Sequence, residues 1–383
     1  MNYKKTFLRI LIILTLPIYL IGIINIVFYF LYKNYSTQKY NQNNIIENQS
    51  KEEPANTQLQ VAKNNIFMPQ NLNWTLVTSS APWEPRDSGE SFVFENKLWL
   101  IGGLNGNNNV NLENHIVKYW EAPHFNDIWN TKDGLNWEKV GEAPWGPKRS
   151  MTIAFFKNKL WMMGGWSPIS GYTNDIWTSE DGIHWKKIVE KAPWPPREGH
   201  TLEVFMNKLW LIGGVNYDKR KTFNDVWFSE DGVSWQEVKN IPWESRWDQA
   251  TEIFQDKIFL TGGMNLNNKI FNDVWSSKDG INWELLTSNA PWESRQGHCL
   301  ISYKDYLWII GRLNDFEGKG ENDVWFSKDG LLWGKTISNP QWTGREDLFC
   351  QVFNDKILIF GGMDSNWKWR NDVWSSIIEK NEK

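Results

Sequence analysis

Residues 224–235 read NDVWFSEDGVSW, and this stretch decides the fold. A short aromatic and β-branched run, an Asp-Gly pair and a second aromatic position are together typical of a β-hairpin. The stretch recurs four more times with small changes, and a sixth copy ends after its first half. The other copies are NDIWNTKDGLNW (126–137), NDIWTSEDGIHW (174–185), NDVWSSKDGINW (272–283), NDVWFSKDGLLW (322–333) and NDVWSS (371–376). We therefore predict a repeat protein.

A second recurring element, Trp-x-x-Arg, opens each repeat. Its cation stands at positions 86, 148, 197, 246, 295 and 345, and it is Lys at 148 and Arg elsewhere. The spacings of 62, 49, 49, 49 and 50 residues give a regular period with one insertion in the first unit. Each unit also contains an alternating strand, a second strand such as LWLIGG (209–214) and a variable loop before the hairpin. We predict four short antiparallel strands per unit.

Incomplete units at the two ends predict a closed ring. Asn73, Trp74 and Val77 repeat the pattern of a fourth strand, yet they precede the first unit. The last unit, conversely, stops after Trp374 without a fourth strand. We expect the N-terminal strand to complete the last unit, because closure removes the exposed sheet edges that an open array would leave. The sequence thus predicts an all-β fold, a six-bladed β-propeller over residues 71–377.

These motifs resemble a known family. Paired glycines after an apolar strand, an arginine opening the first strand and a Trp beyond the variable loop are similar to the kelch repeat of propellers like the galactose oxidase central domain. The Ser/Thr-x-Asp-Gly-x-x-Trp turns, such as 179–185, also resemble the Asp-box of sialidase-like propellers, but are one residue shorter. The resemblance implies a propeller, while kelch propellers include sugar-acid epimerases and many protein-binding modules, so it leaves the activity open.

The first seventy residues predict a membrane anchor and a tether. Residues 1–9 carry three basic side chains, and residues 10–31 then run without a charge, which is long enough to cross a bilayer as a helix. We interpret 10–31 as an uncleaved transmembrane signal anchor with a cytoplasmic N-terminus and an extracytoplasmic propeller; a cleaved secretory signal is the alternative and gives the same compartment. Residues 32–70 are polar and predicted to be a disordered linker, and residues 378–383 form a C-terminal tail.

Composition and motifs exclude several functional classes. The net charge of -4 gives no reason to expect a nucleic-acid partner. The aspartates of the Asp-Gly turns stand one per separate turn and lack the clustered oxygens that calcium needs, so we assign them to turn chemistry. No Ser-His-Asp arrangement, metal-ligand cluster or phosphate loop occurs in the sequence. We therefore predict neither a metal nor a cofactor.

Two cysteines, Cys299 and Cys350, occupy the first strands of neighbouring units. Counted from their arginines they have opposite strand parity, so either both point into the shared interface or both point away. Two cysteines in a chain of this size are not a disulfide framework. We expect two buried free thiols, with a disulfide as the alternative.

Internal repetition separates scaffold from candidate site, because a feature present in every unit meets the same structural demand each time. Of the 27 tryptophans, all but five recur at equivalent positions and are predicted to pack between blades. The five exceptions are Trp120, Trp166, Trp247, Trp367 and Trp369. Four of them fall in the variable loops, which share one face of the predicted propeller. We expect binding on that long-loop face.

The predicted binding site combines aromatic platforms with cations. We expect Trp120, Trp166, Trp367 and Trp369 to be the platforms, with Arg370 and Arg312, which replaces the second glycine of the fifth unit, as polar contacts. The repeated arginines could also ring the channel mouth as an anion clamp; alternatively each pairs with a carboxylate such as Asp225 to lock adjacent blades. These arginines are Arg86, Arg197, Arg246, Arg295 and Arg345.

The leading hypothesis is a membrane-anchored, non-enzymatic binding module for a glycan or a protein. The alternative is an enzyme on sugars or sugar acids, similar to kelch-type sialic acid epimerases or sialidase-like hydrolases. In that case Glu203, Glu252, His200 and His298 would be its acids and bases, although polar side chains also line wet channels without catalysis. A structural element of an envelope assembly is the second alternative.

Overall fold

The computed structural model describes residues 72–111, 116–314, 319–337 and 340–378. The predicted anchor at 10–31, the linker at 32–70 and most of the tail at 378–383 lie outside these residues. Within the described ranges every regular element is a β-strand, and no helix there is long and apolar enough to cross a membrane.

Six four-stranded antiparallel sheets are the blades of a propeller, which confirms the all-β six-bladed prediction. β1 (Leu72–Thr78) precedes the first blade. Blade 1 and its loop contain β2 (Glu90–Phe94), β3 (Lys97–Ile101), β4 (Val110–Asn111), β5 (Ile116–Val117), β6 (Asp127–Thr131) and β7 (Trp137–Glu142). Blade 2 contains β8 (Thr152–Phe156), β9 (Lys159–Met163), β10 (Trp166–Ser167), β11 (Gly171–Tyr172), β12 (Ile176–Ser179) and β13 (Trp185–Val189). Blade 3 contains β14 (Thr201–Phe205), β15 (Lys208–Ile212), β16 (Val215–Asn216), β17 (Lys221–Thr222), β18 (Val226–Ser229) and β19 (Trp235–Val238).

The last three blades follow the same order. Blade 4 contains β20 (Ala250–Phe254), β21 (Lys257–Thr261), β22 (Val274–Ser277) and β23 (Trp283–Thr287). Blade 5 contains β24 (Cys299–Tyr303), β25 (Tyr306–Asn314), β26 (Lys319–Ser327) and β27 (Trp333–Lys335). Blade 6 contains β28 (Arg345–Glu346), β29 (Phe349–Phe353), β30 (Lys356–Phe360), β31 (Met363–Asp364) and β32 (Val373–Ile378).

The ring closes through the N-terminal strand, as the sequence predicts. β1 pairs antiparallel with β32, with Leu72 opposite Ile378 and Trp74 opposite Ser376. The sheet order of blade 6 is β1, β32, β30, β29. The N-terminal strand is therefore the fourth strand of the last blade, and Leu72 is fully buried there.

The hairpin of the opening stretch is held by side chains of its own turn. In blade 3 the Ser229 hydroxyl accepts hydrogen bonds from the backbone N–H groups of Asp231 and Gly232 at 3.3 and 2.8 Å. The Asp231 carboxylate accepts from the next two backbone N–H groups, and the Trp235 indole donates to the Gly232 carbonyl at 3.2 Å. Gly232 has a φ of 81°, and a Cβ there would lie 2.3 Å from the Trp161 ring of the preceding blade. The turn thus requires glycine for its backbone and for its contact with the preceding blade.

The repeated tryptophans pack between blades, as expected. Trp194 is fully buried between blades 2 and 3 and meets Trp235 edge to face at 6.3 Å. Asn174, which opens the hairpin of blade 2, donates to the carbonyls of Ala192 and Trp194 at 2.8 Å each. The connection between blades is therefore fixed by apolar packing and by hydrogen bonds to its backbone.

The two cysteines form a disulfide, so the expectation of free thiols is wrong. Cys299 on β24 and Cys350 on β29 have Cα atoms 6.0 Å apart. Innermost strands of neighbouring blades converge on the channel, and this brings nearly equivalent positions within disulfide reach. The number of cysteines in the chain does not show that these two positions lie side by side.

Blade 5 departs from the others at its second strand. In blade 3, for example, both glycines of the pair have positive φ, 65° at Gly213 and 106° at Gly214, and the strand ends before them. In blade 5 only Gly311 does, and Arg312 continues the strand, so that β25 is nine residues long. A residue with a Cβ atom disfavours the positive φ that the second glycine adopts in the other blades. Arg312 therefore takes an extended conformation and continues the strand.

Candidate functional site

The residue directly after each repeated cation reaches the long-loop face, and its type changes from blade to blade. Five residue types occupy the six positions. In blades 1 to 4 and in blade 6 its backbone is fixed by an antiparallel bridge to the segment after the glycine pair, as in Arg149 with Trp166 and Glu198 with Val215. The same backbone geometry therefore presents varied chemistry around one ring. The six residues, which we name the rim residues, are Asp87, Arg149, Glu198, Trp247, Gln296 and Glu346.

The next residue of each blade forms a constriction. All six have a left-handed φ, between 47° and 62°. Backbone hydrogen bonds join several neighbours, from Ser150 N–H to the Ser88 carbonyl and from Asp347 N–H to the Gly297 carbonyl, for example. The constriction lies between a cavity on the long-loop face and the central channel, since four of its members line both. Its residues are Ser88, Ser150, Gly199, Asp248, Gly297 and Asp347.

The cavity on the long-loop face, which we name the mouth cavity, has a volume of about 700 Å³. Its lining is partly aromatic, with rings from the loops and rims of blades 1 to 4, and partly polar, with carboxylates and amides. The aromatic wall consists of Tyr119, Trp120, Trp166, Tyr172, Tyr217 and Trp247. The polar lining includes Asp248, Asn268, Gln296, Glu346 and Asp347.

Arg149 and Glu198 organise the aromatic wall. The Arg149 guanidinium donates to both Glu198 oxygens, at 2.9 and 3.2 Å, and its Cζ lies 4.7 Å from the Trp166 ring centroid. The Tyr172 hydroxyl donates to the same carboxylate at 3.2 Å. Burial lowers the pKa of Arg149, but the charge and hydrogen bonds of the Glu198 carboxylate outweigh burial. The pKa of Arg149 therefore lies above its ordinary value. Burial and then the Glu198 charge raise the pKa of Tyr172. The cation is permanent and already paired.

The central channel, about 690 Å³, is acidic. Glu203 and Glu252 stand at equivalent positions on β14 and β20 and accept hydrogen bonds of 2.6 Å from Thr251 and Ser302. Burial raises the pKa of Glu203 to about 7. Burial and then the Glu203 charge raise the pKa of Glu252 to about 8. Of the residues described, the channel lining includes Glu90 as a third glutamate and no Lys or Arg.

The two predicted histidines belong to the blade interfaces. His200 and His298 are buried, and their Nε2 atoms hydrogen-bond to Thr152 at 3.0 Å and to Thr261 at 2.8 Å. Burial, and then the Arg197 charge, lower the pKa of His200 to about 3; burial and Arg295 lower that of His298 in the same way. Both are therefore neutral at physiological pH, and each packs against a glycine pair of the preceding blade.

The repeated arginines are buried and paired. Each donates two hydrogen bonds to the aspartate of its own hairpin, so the pair lies within one blade rather than between adjacent blades as the alternative had it. The pairs are Arg86–Asp127, Arg197–Asp225, Arg246–Asp273, Arg295–Asp323 and Arg345–Asp372. Blade 2 replaces this with Lys148, which donates to Asp175 and Thr173. These contacts are those of a scaffold, not of an exposed clamp.

The remaining predicted contacts divide between the cavity and the core. Trp120 and Trp166 line the mouth cavity, and Trp120 is 61% exposed. Trp369, in contrast, is fully buried in a small apolar cluster, so its prediction as an exposed platform is wrong. Trp367 packs against the same cluster, and neither lines the cavity.

The two predicted polar contacts are also engaged within the protein. Arg370 forms an ion pair with the fully buried Asp364, its Nε lying 2.6 Å from the carboxylate. Arg312 is buried, and its guanidinium lies 3.5 Å from the Ser294 carbonyl.

Sequence reasoning missed most of the cavity. Arg149 and Glu198 were overlooked because they follow a repeated cation and read as part of the scaffold, and Trp247 was left unassigned. The signal was present, since the position after the cation changes from blade to blade while its neighbours repeat. Tyr172 and Tyr217 lie in variable loops, and only the fold brings them together.

A closed ring of six blades with an aromatic cavity on its loop face defines the class of protein, a β-propeller that carries its variable chemistry on one face. The KLHDC2/KLHL20/DRC7 Kelch-repeats domain matches residues 52–263 and 182–362. The chain therefore belongs to the kelch-repeat family.

Comparison with solved structures adds support for the fold. A structure described as "Structure of YjhT" is similar with a TM-score of 0.61 and 18% identity, covering 79% of this chain and 96% of that chain. At this identity the likeness concerns the fold alone. A comparison with curated protein sequences gave no match.

Proposed function

We propose that this kelch propeller is a binding module that holds a saccharide in the mouth cavity. The observation that carries the proposal is the aromatic wall, to which four blades contribute. The cavity volume of about 700 Å³ is typical of small-molecule sites. Indole and phenol rings stack on the apolar faces of sugar rings, while the carboxylates and amides of the same lining can form hydrogen bonds with the sugar hydroxyls.

The wall is organised before any ligand arrives. Arg149 is held against Trp166 by its bidentate pair with Glu198, and Tyr217 meets Trp247 edge to face at 5.6 Å. A wall whose side chains are already fixed loses little conformational freedom on binding. This favours a ligand of defined shape over a broad, adaptable protein interface.

The proposal includes a location outside the cytosol, on a membrane anchor at residues 10–31. Its support is the uncharged segment itself and the Cys299–Cys350 disulfide, since disulfides persist in oxidising compartments. Protease protection of the propeller in cells stripped of any outer membrane and wall, with sensitivity only after the plasma membrane is permeabilised, would contradict this placement.

The test is saccharide binding by the full chain in detergent, screened on a glycan array and quantified by calorimetry. Trp120→Ala should weaken the affinity at least tenfold, because it removes an exposed stacking surface; about 1.4 kcal/mol corresponds to that factor. Trp367→Ala is the matched control, since Trp367 lies outside the cavity, and it should bind like the unaltered chain. Equal losses in both variants would contradict the placement of the site. If only proteins are captured, the ligand is a protein.

A second candidate function is an enzyme acting on sugars, and the observation favouring it is the pair Glu203 and Glu252 below the constriction. Their raised pKa values, about 7 and about 8, suit proton transfer near neutral pH. Proton NMR of reducing sugars mixed with the full chain would detect accelerated anomer exchange or hydrolysis. Glu203→Gln should abolish such turnover, and turnover that survives this change would contradict the role.

A further inference from the structure

One part of the mouth cavity, between blades 3 and 4, is lined by apolar side chains, and its role as a ligand subsite rests on the proposed function. Val215, Trp247 and Met264 form one buried cluster, and Leu266 packs against it. All four residues line the mouth cavity, and we name them the apolar corner. A sugar hydroxyl gains little from such a surface, whereas a methyl group gains from leaving water. The apolar corner therefore favours a saccharide with an aliphatic substituent.

Hydrogen bonds within and between the two blades hold the apolar corner in place. Trp247 and Met264 exchange backbone hydrogen bonds of 2.9 and 3.0 Å. The backbone N–H of Leu266 donates to the Thr222 hydroxyl, in the loop of blade 3, at 3.3 Å. A surface that is fixed before binding loses little conformational freedom when a ligand arrives. The apolar corner can therefore select a ligand group by its shape.

Trp247 also brings a hydrogen-bond donor to the apolar corner. The residue is 5% exposed. Among the described residues its indole N–H has no acceptor, and the nitrogen is not sealed off by protein. The repeated Trp235, in contrast, donates to the Gly232 carbonyl of its own turn. The five-membered ring of Trp247 lies against Gly199 of the constriction, where a Cβ would be 3.1 Å from the indole Cδ1. An indole N–H can only donate, and leaving a largely buried donor without an acceptor is costly. The site therefore favours a ligand that supplies an acceptor oxygen here.

Two further polar groups border the apolar corner. The Tyr217 ring meets Trp247 edge to face at 5.6 Å, and both residues line the cavity. Asn268 also lines the cavity, and its backbone N–H donates to the Asn265 carbonyl at 2.9 Å within the loop that carries Leu266. A side-chain amide offers both a donor and an acceptor. The apolar corner thus combines an aliphatic surface, a group that only donates and an amide.

We propose that the apolar corner is the subsite for the acetamido group of an N-acetylated sugar. The acetyl methyl packs on Met264 and Leu266, the acetyl oxygen accepts from the Trp247 indole N–H, and the acetamido N–H donates to the Asn268 side-chain oxygen. The methyl group and the carbonyl oxygen of an acetyl group share one carbon, so they need an apolar surface and a donor side by side. A hydroxyl at the same ring position supplies the acceptor without the methyl, and a protonated amine supplies neither. The sugar ring itself remains on the aromatic wall.

The experiment compares sugars that share one ring and differ at one substituent. Methyl glycosides of N-acetylglucosamine, N-formylglucosamine, glucosamine and glucose are titrated into the full chain in detergent by calorimetry. The N-acetyl sugar should bind about tenfold or more tightly than glucose or glucosamine, because one well-placed group in a pocket is worth at least that factor. The N-formyl sugar, which keeps the carbonyl and lacks the methyl, should fall between them.

Two variants test the two halves of the apolar corner. Leu266→Ala removes part of the aliphatic surface from a half-buried loop position, and it should lower the preference for N-acetyl over N-formyl about threefold or more without changing the affinity for glucose. Ile169→Ala is the matched control, because Ile169 is 78% exposed on the loop of blade 2 and does not line the cavity. Trp247→Phe keeps an aromatic ring and removes the N–H, so it should weaken both acylated sugars by a similar factor.

The outcomes separate the acetamido subsite from saccharide binding as such. Equal affinity for the N-acetyl sugar and glucose, or an unchanged N-acetyl preference in Leu266→Ala, overturns the subsite and leaves saccharide binding standing. N-acetyl-lysine amide binding as tightly as the N-acetyl sugar also overturns it, because the acetyl group then belongs to a modified protein. Failure of all four glycosides and of every arrayed glycan overturns saccharide binding, and the subsite falls with it.

Discussion

Replacing Arg197 by alanine should destabilise the propeller by about 3–5 kcal/mol, the usual cost of leaving one partner of a buried ion pair behind. Arg197 is fully buried, and the Asp225 side chain is 16% exposed. The guanidinium also donates to the carbonyls of Gly213 at 2.8 Å and Pro195 at 3.0 Å, and stacks on Phe223 at 3.9 Å. The substitution therefore strands a carboxylate and two carbonyls together.

Arg197→Lys is the matched control, because blade 2 already uses Lys148 at this position. It keeps the charge beside Asp225 but loses the hydrogen bonds to both carbonyls, so a loss of about 2 kcal/mol is expected at roughly 1 kcal/mol per unsatisfied acceptor. Urea unfolding followed by far-ultraviolet circular dichroism measures both variants at pH 7. A loss below 1 kcal/mol for Arg197→Ala would refute the assignment of this residue to the scaffold.

Acid provides a second readout of the same pair. Although burial acts the other way, the hydrogen bonds and charge of Arg197 hold the pKa of Asp225 below its ordinary value. A carboxyl with a depressed folded pKa contributes stability that is present at neutral pH and lost as the pH falls through that pKa. In Arg197→Ala the buried carboxyl titrates at higher pH instead, so protonation relieves it. The difference in stability between the two proteins should therefore shrink as the pH falls from 7 to 4.

Three further predictions concern the scaffold and the channel. Replacing both cysteines with serine should cost up to about 4 kcal/mol, given 51 residues of separation, measured by urea unfolding; an unchanged midpoint would show that the bridge adds nothing. Gly232→Ala should cost about 3 kcal/mol because its Cβ would overlap Trp161 of the preceding blade, whereas Gly171→Ala, with a φ of 67° but open space around it, should cost about 1 kcal/mol by the same assay; equal losses would contradict the packing argument. Burial raises the pKa of Glu203 to about 7, so the folded protein is stabilised while this carboxyl is protonated and loses that stability as the pH rises through 7. Glu203→Gln should therefore raise the melting temperature at pH 8 and leave it unchanged at pH 4. A shift at pH 4 alone would contradict the assignment.

The fold was predictable from the sequence because its evidence is repeated. The hairpin motif, the period and the displaced fourth strand at Trp74 each specify the ring, and β1 pairs with β32 as they require. Repetition also identified most tryptophans as packing residues. The burial of Trp369 was not predictable from repetition, because it depends on a contact with Gly106 in the loop of a different blade.

The site was predictable only in its location. Loop length and variability indicate the long-loop face, yet they do not say which side chains converge above the axis. Arg149 and Glu198 are 49 residues apart and meet because equivalent positions of neighbouring blades are adjacent in a ring. The disulfide between Cys299 and Cys350 was missed for the same reason. Contacts between equivalent positions of neighbouring blades follow from the ring and are invisible to a comparison of blades one at a time.

The rim residues show how a rigid propeller can carry variable chemistry. In every blade but blade 5 their backbone atoms are fixed by the bridge to the segment after the glycine pair, and in all six a left-handed residue follows. The buried cation that precedes them pairs with the aspartate of the hairpin. A change of side chain at the rim therefore alters the mouth cavity without touching an ion pair of the scaffold. Blade 5 differs from the others: where Arg312 replaces the second glycine, the strand runs on as β25 to Asn314. The bridge to the rim residue is thus seen in the five blades that keep both glycines of the pair.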